Sequence, residues 1–318
     1  MIHYYVESIA EAWKTVCKHH LEFSSNVMDL QLSKAGPCAL SILHPENRIP
    51  SKECVPFIPF WLSILSMTAE DSSPELIKKH IPQISGFQDM SGRFSLAMGA
   101  RLRRNFGIDQ YDMLLRNLRE GMQLLPVMLF DAEHDNRLTN RLSSLSVVFS
   151  ILNDRIEVLV TMDSVLVHEV PFHSELCVIS LWQEMLCQEM GKRIGPMEVV
   201  CGATVAMQDE HPKLRKVVQG PYLPQVKNSP LLQDDVEQLQ TEFKAWPLVG
   251  ASGKGYRSCF FRKTVIPMAA VCQEINRKES TFEQKKSAAL IAAERVADEG
   301  WKSHVTHWIQ NYFEDVSE

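Results

Sequence analysis

The chain has 318 residues and a mass of 36.3 kDa, with 45% hydrophobic residues and a net charge of −6. That length holds one large domain or two smaller ones with a sizeable core, and the acidic balance argues against a surface that coats nucleic acid, although Arg101, Arg103 and Arg104 form a local basic patch. Eight cysteines without a C-x-x-C pair predict reduced thiols rather than a disulfide frame or a zinc site.

The opening MIHYYVESIAEAW is acidic where a signal peptide is basic, and no apolar run approaches the roughly 18 residues of a membrane span, so the sequence predicts a soluble, cytoplasmic protein. Ile9, Trp13 and Val16 share one face of a first amphipathic helix. Residues 38–43 predict a strand ended by the turn His44–Pro45–Glu46–Asn47. Residues 55–67 are almost wholly apolar but contain Pro56 and Pro59, which predicts a buried helix starting after Pro59. Asp109 to Met122 predicts a helix with Leu114, Leu115 and Leu118 inward, followed by a buried strand over 124–130.

Two alternating strands over 140–160 meet at Asn153–Asp154, a hairpin with Leu145, Val147 and Phe149 facing one way. A third strand is predicted over 164–170, then an apolar helix from about Glu175 to Met190 that Gly191 caps, and a strand over 199–207. From Ser229 helical spacing returns, and 279–313 predict two helices broken at Gly300. The order of elements is that of an α+β fold with a large, mostly antiparallel sheet, divided at the polar loop 219–230 into a domain over 1–218 and a helical C-terminal extension over 229–318.

The segment Phe87–Gln–Asp–Met–Ser–Gly92–Arg–Phe94–Ser–Leu–Ala–Met–Gly99–Ala–Arg101–Leu102 resembles the F-x-D-x-x-G-x-F/L-x-x-x-Y-G-x-x-L stretch of thymidylate synthases and pyrimidine hydroxymethylases. Asp109–Gln110 then heads a helix, as a similar dipeptide does in that family. Val170–Pro171–Phe172–His173, an apolar helix, Gly191, Gly202 and His211 are similar to its G-x-P-F-N, helix, G-D/S-x-H-x-Y-x-N-H series. The resemblance spans roughly residues 8–215 and implies a thymidylate synthase-like layered fold whose sheet forms a dimer interface.

In that family a cysteine thiolate adds to C6 of a pyrimidine nucleotide, so that C5 can accept a one-carbon unit; a thiolate is both strongly nucleophilic and able to depart. The resemblance places the nucleophile two or three residues before Leu145–Ser–Val–Val–Phe149, on Ser143 or Ser144, where no base is close in sequence. The paired phosphate-binding arginines fall on Leu124 and Leu125, the Arg-Ser pair on Met162–Asp163, the pyrimidine-reading asparagine on His173, the later His-x-Tyr on Val205–Ala–Met207, and an early glutamate near Phe60. No complete catalytic set follows. Ser143 and Ser144 are candidate nucleophiles, and His173 and Arg101 are candidate substrate-binding residues.

Each of these residues has an ordinary structural reading: strand-edge serines for Ser143 and Ser144, and a backbone-bonded buried histidine for His173. Gly250–Ala–Ser–Gly–Lys–Gly255 lacks the full phosphate-cradle pattern and reads as a loop. Cys17, His19 and His20 read as helix surface without metal-ligand spacing, and Trp301, His304 and Trp308 as a packing stripe.

The expectation is a catalytically degenerate, thymidylate synthase-like binding or scaffold subunit. It would pair as a homodimer, or as a heterodimer with an active relative, with no cofactor and no membrane partner. The alternative is an enzyme acting on a pyrimidine nucleotide or a nucleic-acid base through a relocated nucleophile, a C5 one-carbon transferase with folate as its cofactor. A third reading uses the Arg101–Arg104 patch and the C-terminal helices to bind nucleic acid.

Overall fold

The computed structural model describes residues 1–27, 31–48, 98–103, 106–135, 144–167, 171–220, 255–278 and 280–315, and within 234–245 residues 234, 235, 238, 239, 241, 242 and 245. The predicted helix after Pro59, the Phe87–Leu96 motif, Arg104, Ser143 and most of the 250–255 glycine loop lie outside the described residues.

In chain order the first elements are β1 (Ile2–Val6), α1 (Ile9–Phe23), β2 (Ser25–Asn26), β3 (Leu32–Ala35), β4 (Cys38–Ile42), α2 (Met98–Arg103), α3 (Gln110–Arg119), β5 (Leu124–Met128) and α4 (Ala132–Asp135). The hairpin β6 (Ser144–Leu152) and β7 (Arg155–Leu166), the central helix α5 (Pro171–Met190), β8 (Arg193–Met207) and α6 (His211–Gln219) follow. The C-terminal part carries a π-turn at Phe261–Val265 leading into α7 (Ile266–Ile275), then α8 (Phe282–Ala293) and α9 (Glu299–Asp315).

One eight-stranded sheet runs in the order β1-β4-β8-β7-β6-β5, with β3 also pairing β8 and β2 pairing β3. The β1–β4 and β7–β8 pairs are parallel and the other five antiparallel, so the architecture is α+β with a mixed, mostly antiparallel sheet. Parallel pairing of β7 with β8 requires a crossover, and α5 supplies it.

The hairpin turn is the predicted one: Asn153 and Asp154 hold φ of 48° and 64°, the left-handed pair that matches strand twist. Gly191 ends α5 at φ 62°, and Lys192 N–H donates to Cys187 O at 2.8 Å.

Cross-strand register puts Leu40, Val199, Val160 and Val147 in one inner row and Ile42, Met197, Val158 and Phe149 in the next, all buried. Ile9, Trp13 and Val16 of α1, Leu114 and Leu118 of α3, and Phe172, Ile179 and Trp182 of α5 close this core. A second core is built from α7, α8 and α9 around Phe261, Met268, Val305 and Ile309, and Leu181 of α5 joins it. Thus α5 faces the sheet with one side and the C-terminal helices with the other, which is why even its polar His173, Glu175, Gln183 and Glu184 are buried.

Several expectations are corrected. Residues 124–130 are not a fully buried strand: β5 alternates, with Leu124 69% and Met128 48% exposed, because it is a sheet edge with one covered face. The Gln110 side chain takes the place of a further strand there, since its Oε1 accepts from Met128 N at 2.9 Å and its Nε2 donates to Met128 O at 2.8 Å. The third strand predicted from Ser164 is the end of β7, which runs unbroken for 12 residues. The C-terminal break falls at 294–298, and Gly300 lies in the first turn of α9. His19 and His20 are not surface residues: both are buried, His19 bonded to Tyr4 Oη and Gly36 O, His20 to Thr204 and Ser33.

Candidate functional site

The hairpin strand β6 carries a bulge at its start. Ser144 pairs with Met162 and Ser146 with Thr161, so Leu145 is the extra residue, and its carbonyl accepts from both Leu129 N and Phe130 N. The bulge turns Ser144 onto the inner face beside Met162, where the serine is fully buried. There Glu175, in the second turn of α5, receives both Ser144 N–H at 2.7 Å and Ser144 Oγ–H at 2.5 Å on its Oε2. The carboxylate is itself 2% exposed. Two hydrogen bonds to one carboxyl oxygen pin the bulge to the helix.

Two residues earlier on α5, about half a turn away, His173 is fully buried against the Trp13 ring, and its Nδ1 lies 3.5 Å from Cys177 Sγ. Burial, with His304 of α9 nearby, pushes the imidazole down to about 3. The same burial pushes the Cys177 thiol far up, only weakly countered by Arg48. A histidine and a cysteine at i, i+4 have the spacing of a nucleophilic pair, but a thiolate–imidazolium pair is doubly disfavoured here: both members stay neutral. Cys177 instead donates to Arg48 O.

Farther along α5, Arg48 donates to Ser180 Oγ at 3.1 Å and to Glu184 Oε2 at 2.5 Å. Asp298, which caps α9 through Trp301 N at 3.0 Å, is raised by burial and held back in part by Arg48. Arg48 therefore sits where the sheet domain meets the C-terminal helices.

Arg101 does not join this constellation. It is buried, its guanidinium bidentate on Asp135 at 2.5 and 2.6 Å and donating to Leu129 O at 2.6 Å. A phosphate would have to displace Asp135 to use it. At the other positions that the resemblance singles out, Leu124 is exposed, Leu125 lies in the core, and Val205–Ala–Met207 form the end of β8 beside β3. Trp301, His304 and Trp308 lie in or against the second core, and His304 is fully buried.

Sequence reasoning therefore located Ser144 and His173 but missed Glu175, Cys177 and Arg48. The i, i+4 spacing of His173 and Cys177 was available as a signal, hidden because the helix was begun at Glu175; Pro171 starts it, as proline at the first turn does. No signal pointed to the Ser144–Glu175 contact, which bridges 31 positions.

No protein-family model matches the chain, and no curated protein matches it in sequence. Among the described residues, no three His, Cys, Asp or Glu side chains group to hold a metal ion, and no helix is long and apolar enough to cross a membrane.

Proposed function

We propose that the chain is a non-catalytic member of the thymidylate synthase-like superfamily, acting as a binding or scaffold subunit through dimerisation with itself or with an active relative. The observation that carries this reading is Ser144. At Ser144, one of the two positions where the resemblance asks for a thiolate, stands a buried hydroxyl bonded to Glu175, and a hydroxyl ionises far less readily than a thiol. His173, at the pyrimidine-reading position, is a fully buried neutral imidazole, and Arg101 is committed to Asp135. Reduced thiols such as Cys17, Cys38, Cys177 and Cys201 suit the cytoplasmic setting that belongs to the same proposal.

Dimerisation is supported by the sheet's outer face, where Tyr5, Leu124, Met128 and Leu159 are exposed, at 74, 69, 48 and 40%. Light scattering on the purified chain should give about twice 36.3 kDa at micromolar concentration, and a stable monomer would sink the dimer. The chain should release no tritium from C5 of labelled dUMP or dCMP, with or without folate. It should bind either nucleotide with Kd of about a millimolar or weaker. Folate-dependent release above a no-protein control would replace this reading with the enzyme alternative, in which a relocated nucleophile acts.

A further inference from the structure

Cys38 opens β4 and Cys201 lies in β8, and the two are direct partners in the antiparallel register of these strands. Residues so paired have Cα atoms about 4.5–5.5 Å apart with side chains on the same face, inside the Cα range of about 4.4–6.8 Å that a disulfide spans. Here that face is the inner one, and both residues are fully buried. The neighbouring Cys201 thiol lowers the pKa of Cys38, whereas Cys38 and burial push Cys201 up. Cys38 also lies two residues from Gly36, which is exposed and has open space on the side where a Cβ would project.

The geometry points to a reversible oxidation site, in which a peroxide converts Cys38 and Cys201 into an intrachain disulfide joining β4 to β8. The Cys38 thiolate attacks one peroxide oxygen, the O–O bond breaks, and hydroxide leaves and is protonated to water, so Cys38 becomes a sulfenic acid. The Cys201 sulfur then attacks the Cys38 sulfur, the S–O bond breaks, a second water leaves with the Cys201 proton, and the S–S bond forms. Two thiols and one hydrogen peroxide give one disulfide and two waters. The site does not depend on the superfamily reading, since neither cysteine takes part in it.

The test uses the folded, reduced, full-length protein exposed to hydrogen peroxide, quenched with a thiol-blocking reagent and digested with trypsin without reduction. The tryptic peptides 35–48 and 194–213 each carry one cysteine, Cys38 and Cys201. The expected product is these two peptides linked, with the mass of two hydrogens lost, restored to separate peptides by dithiothreitol. Cys38→Ser and Cys201→Ser should each abolish the linked species. Recovery of both peptides unlinked, individually oxidised sulfurs, or a link that forms only after unfolding in urea would overturn the proposal. The decisive measurement is made on the native chain, so it stands whether or not the variants fold.

Discussion

Val158 and Leu159 are neighbours in β7, yet they sit in different media. Val158 is 2% exposed, paired with Phe149 and Met197 inside the main core; Leu159 is 40% exposed, paired with Val148 and Glu198 on the outer face. The whole sheet repeats this difference. Several polar groups on the inner side are tied down: Ser144 to Glu175, His20 to Thr204 and Ser33, the Gln183 amide N–H to the carbonyls of Ile156 and Gly195. On the outer side the half-exposed His3 and Glu198 meet at Ser41, with Tyr5 stacked on His3 and Leu159 beside Glu198. One face is organised to hold the chain together, and the other keeps apolar surface that folding has not consumed.

The strongest way to break the comparison is to place the same charge on each side. Val158→Asp puts a carboxylate without a partner into the main core and should leave no cooperative fold, because burying an unpaired charge adds to the roughly 2 kcal/mol or so of lost burial and exceeds what a domain can spare. Circular dichroism and solubility would report it. A normal melt for Val158→Asp would mean that the register is shifted by one residue and that the two faces are exchanged.

Next in size is the Arg101–Asp135 pair, with side chains 6% and 0% exposed. Asp135→Ala strands a buried guanidinium and should cost about 3–5 kcal/mol, whereas the double change Arg101→Met with Asp135→Leu should recover most of it. Urea midpoints of the three proteins decide the matter; equal loss in the single and double variants would show that packing, not charge, is at stake. That pair also marks what sequence alone conveys. Arg101 was visible as part of a basic patch, but Asp135 is 34 positions away and nothing local connects them.

The same limit governs the rest of the molecule. The hairpin, Asp109 as a helix cap and Gly191 as a helix end were readable because their signals are local: φ preference, capping chemistry and alternation. His20 was misjudged although it continues the Trp13–Val16 stripe at i+7 and i+4, since its polarity concealed that Thr204 and Ser33 would satisfy it. β1 went unread for the opposite reason: it lies at the sheet edge with only Val6 buried and so shows little alternation. The candidate site was legible as a position, Ser144, and not as a constellation, because a bulge and a distant helix create its contacts.

Acid sharpens the contrast further. His173 titrates near 3 in the folded protein and near 6.5 when unfolded, so between those values the unfolded chain binds more protons and stability falls as the pH drops through that window. The contribution is intact above about pH 6.5 and is reduced by about 2 kcal/mol at pH 5. Denaturant midpoints at pH 7 and pH 5 should therefore converge for His173→Met relative to the native chain. Parallel profiles would show that His173 is not sealed in the native state.

The smallest effect on stability belongs to the outer face, and it carries the most functional information. Leu159→Glu replaces a partly exposed side chain next to Val148 and across from Glu198, so within one subunit it should change the unfolding free energy by no more than about 0.5 kcal/mol. If the exposed face is the dimer contact, the same change places a charge, and its symmetry mate, in the centre of an interface that should bury roughly 2,000 Å² or more. The variant should then melt like the native subunit but scatter as a monomer near 36.3 kDa. Val148→Asp, on the adjacent strand, should do the same, while Val158→Asp cannot serve this purpose because Val158 faces inward. A Leu159→Glu protein that keeps the native mass at micromolar concentration would move the association surface off this face. The exposed Tyr5, Leu124 and Met128 would then be ordinary surface apolar residues, which folded proteins carry in number.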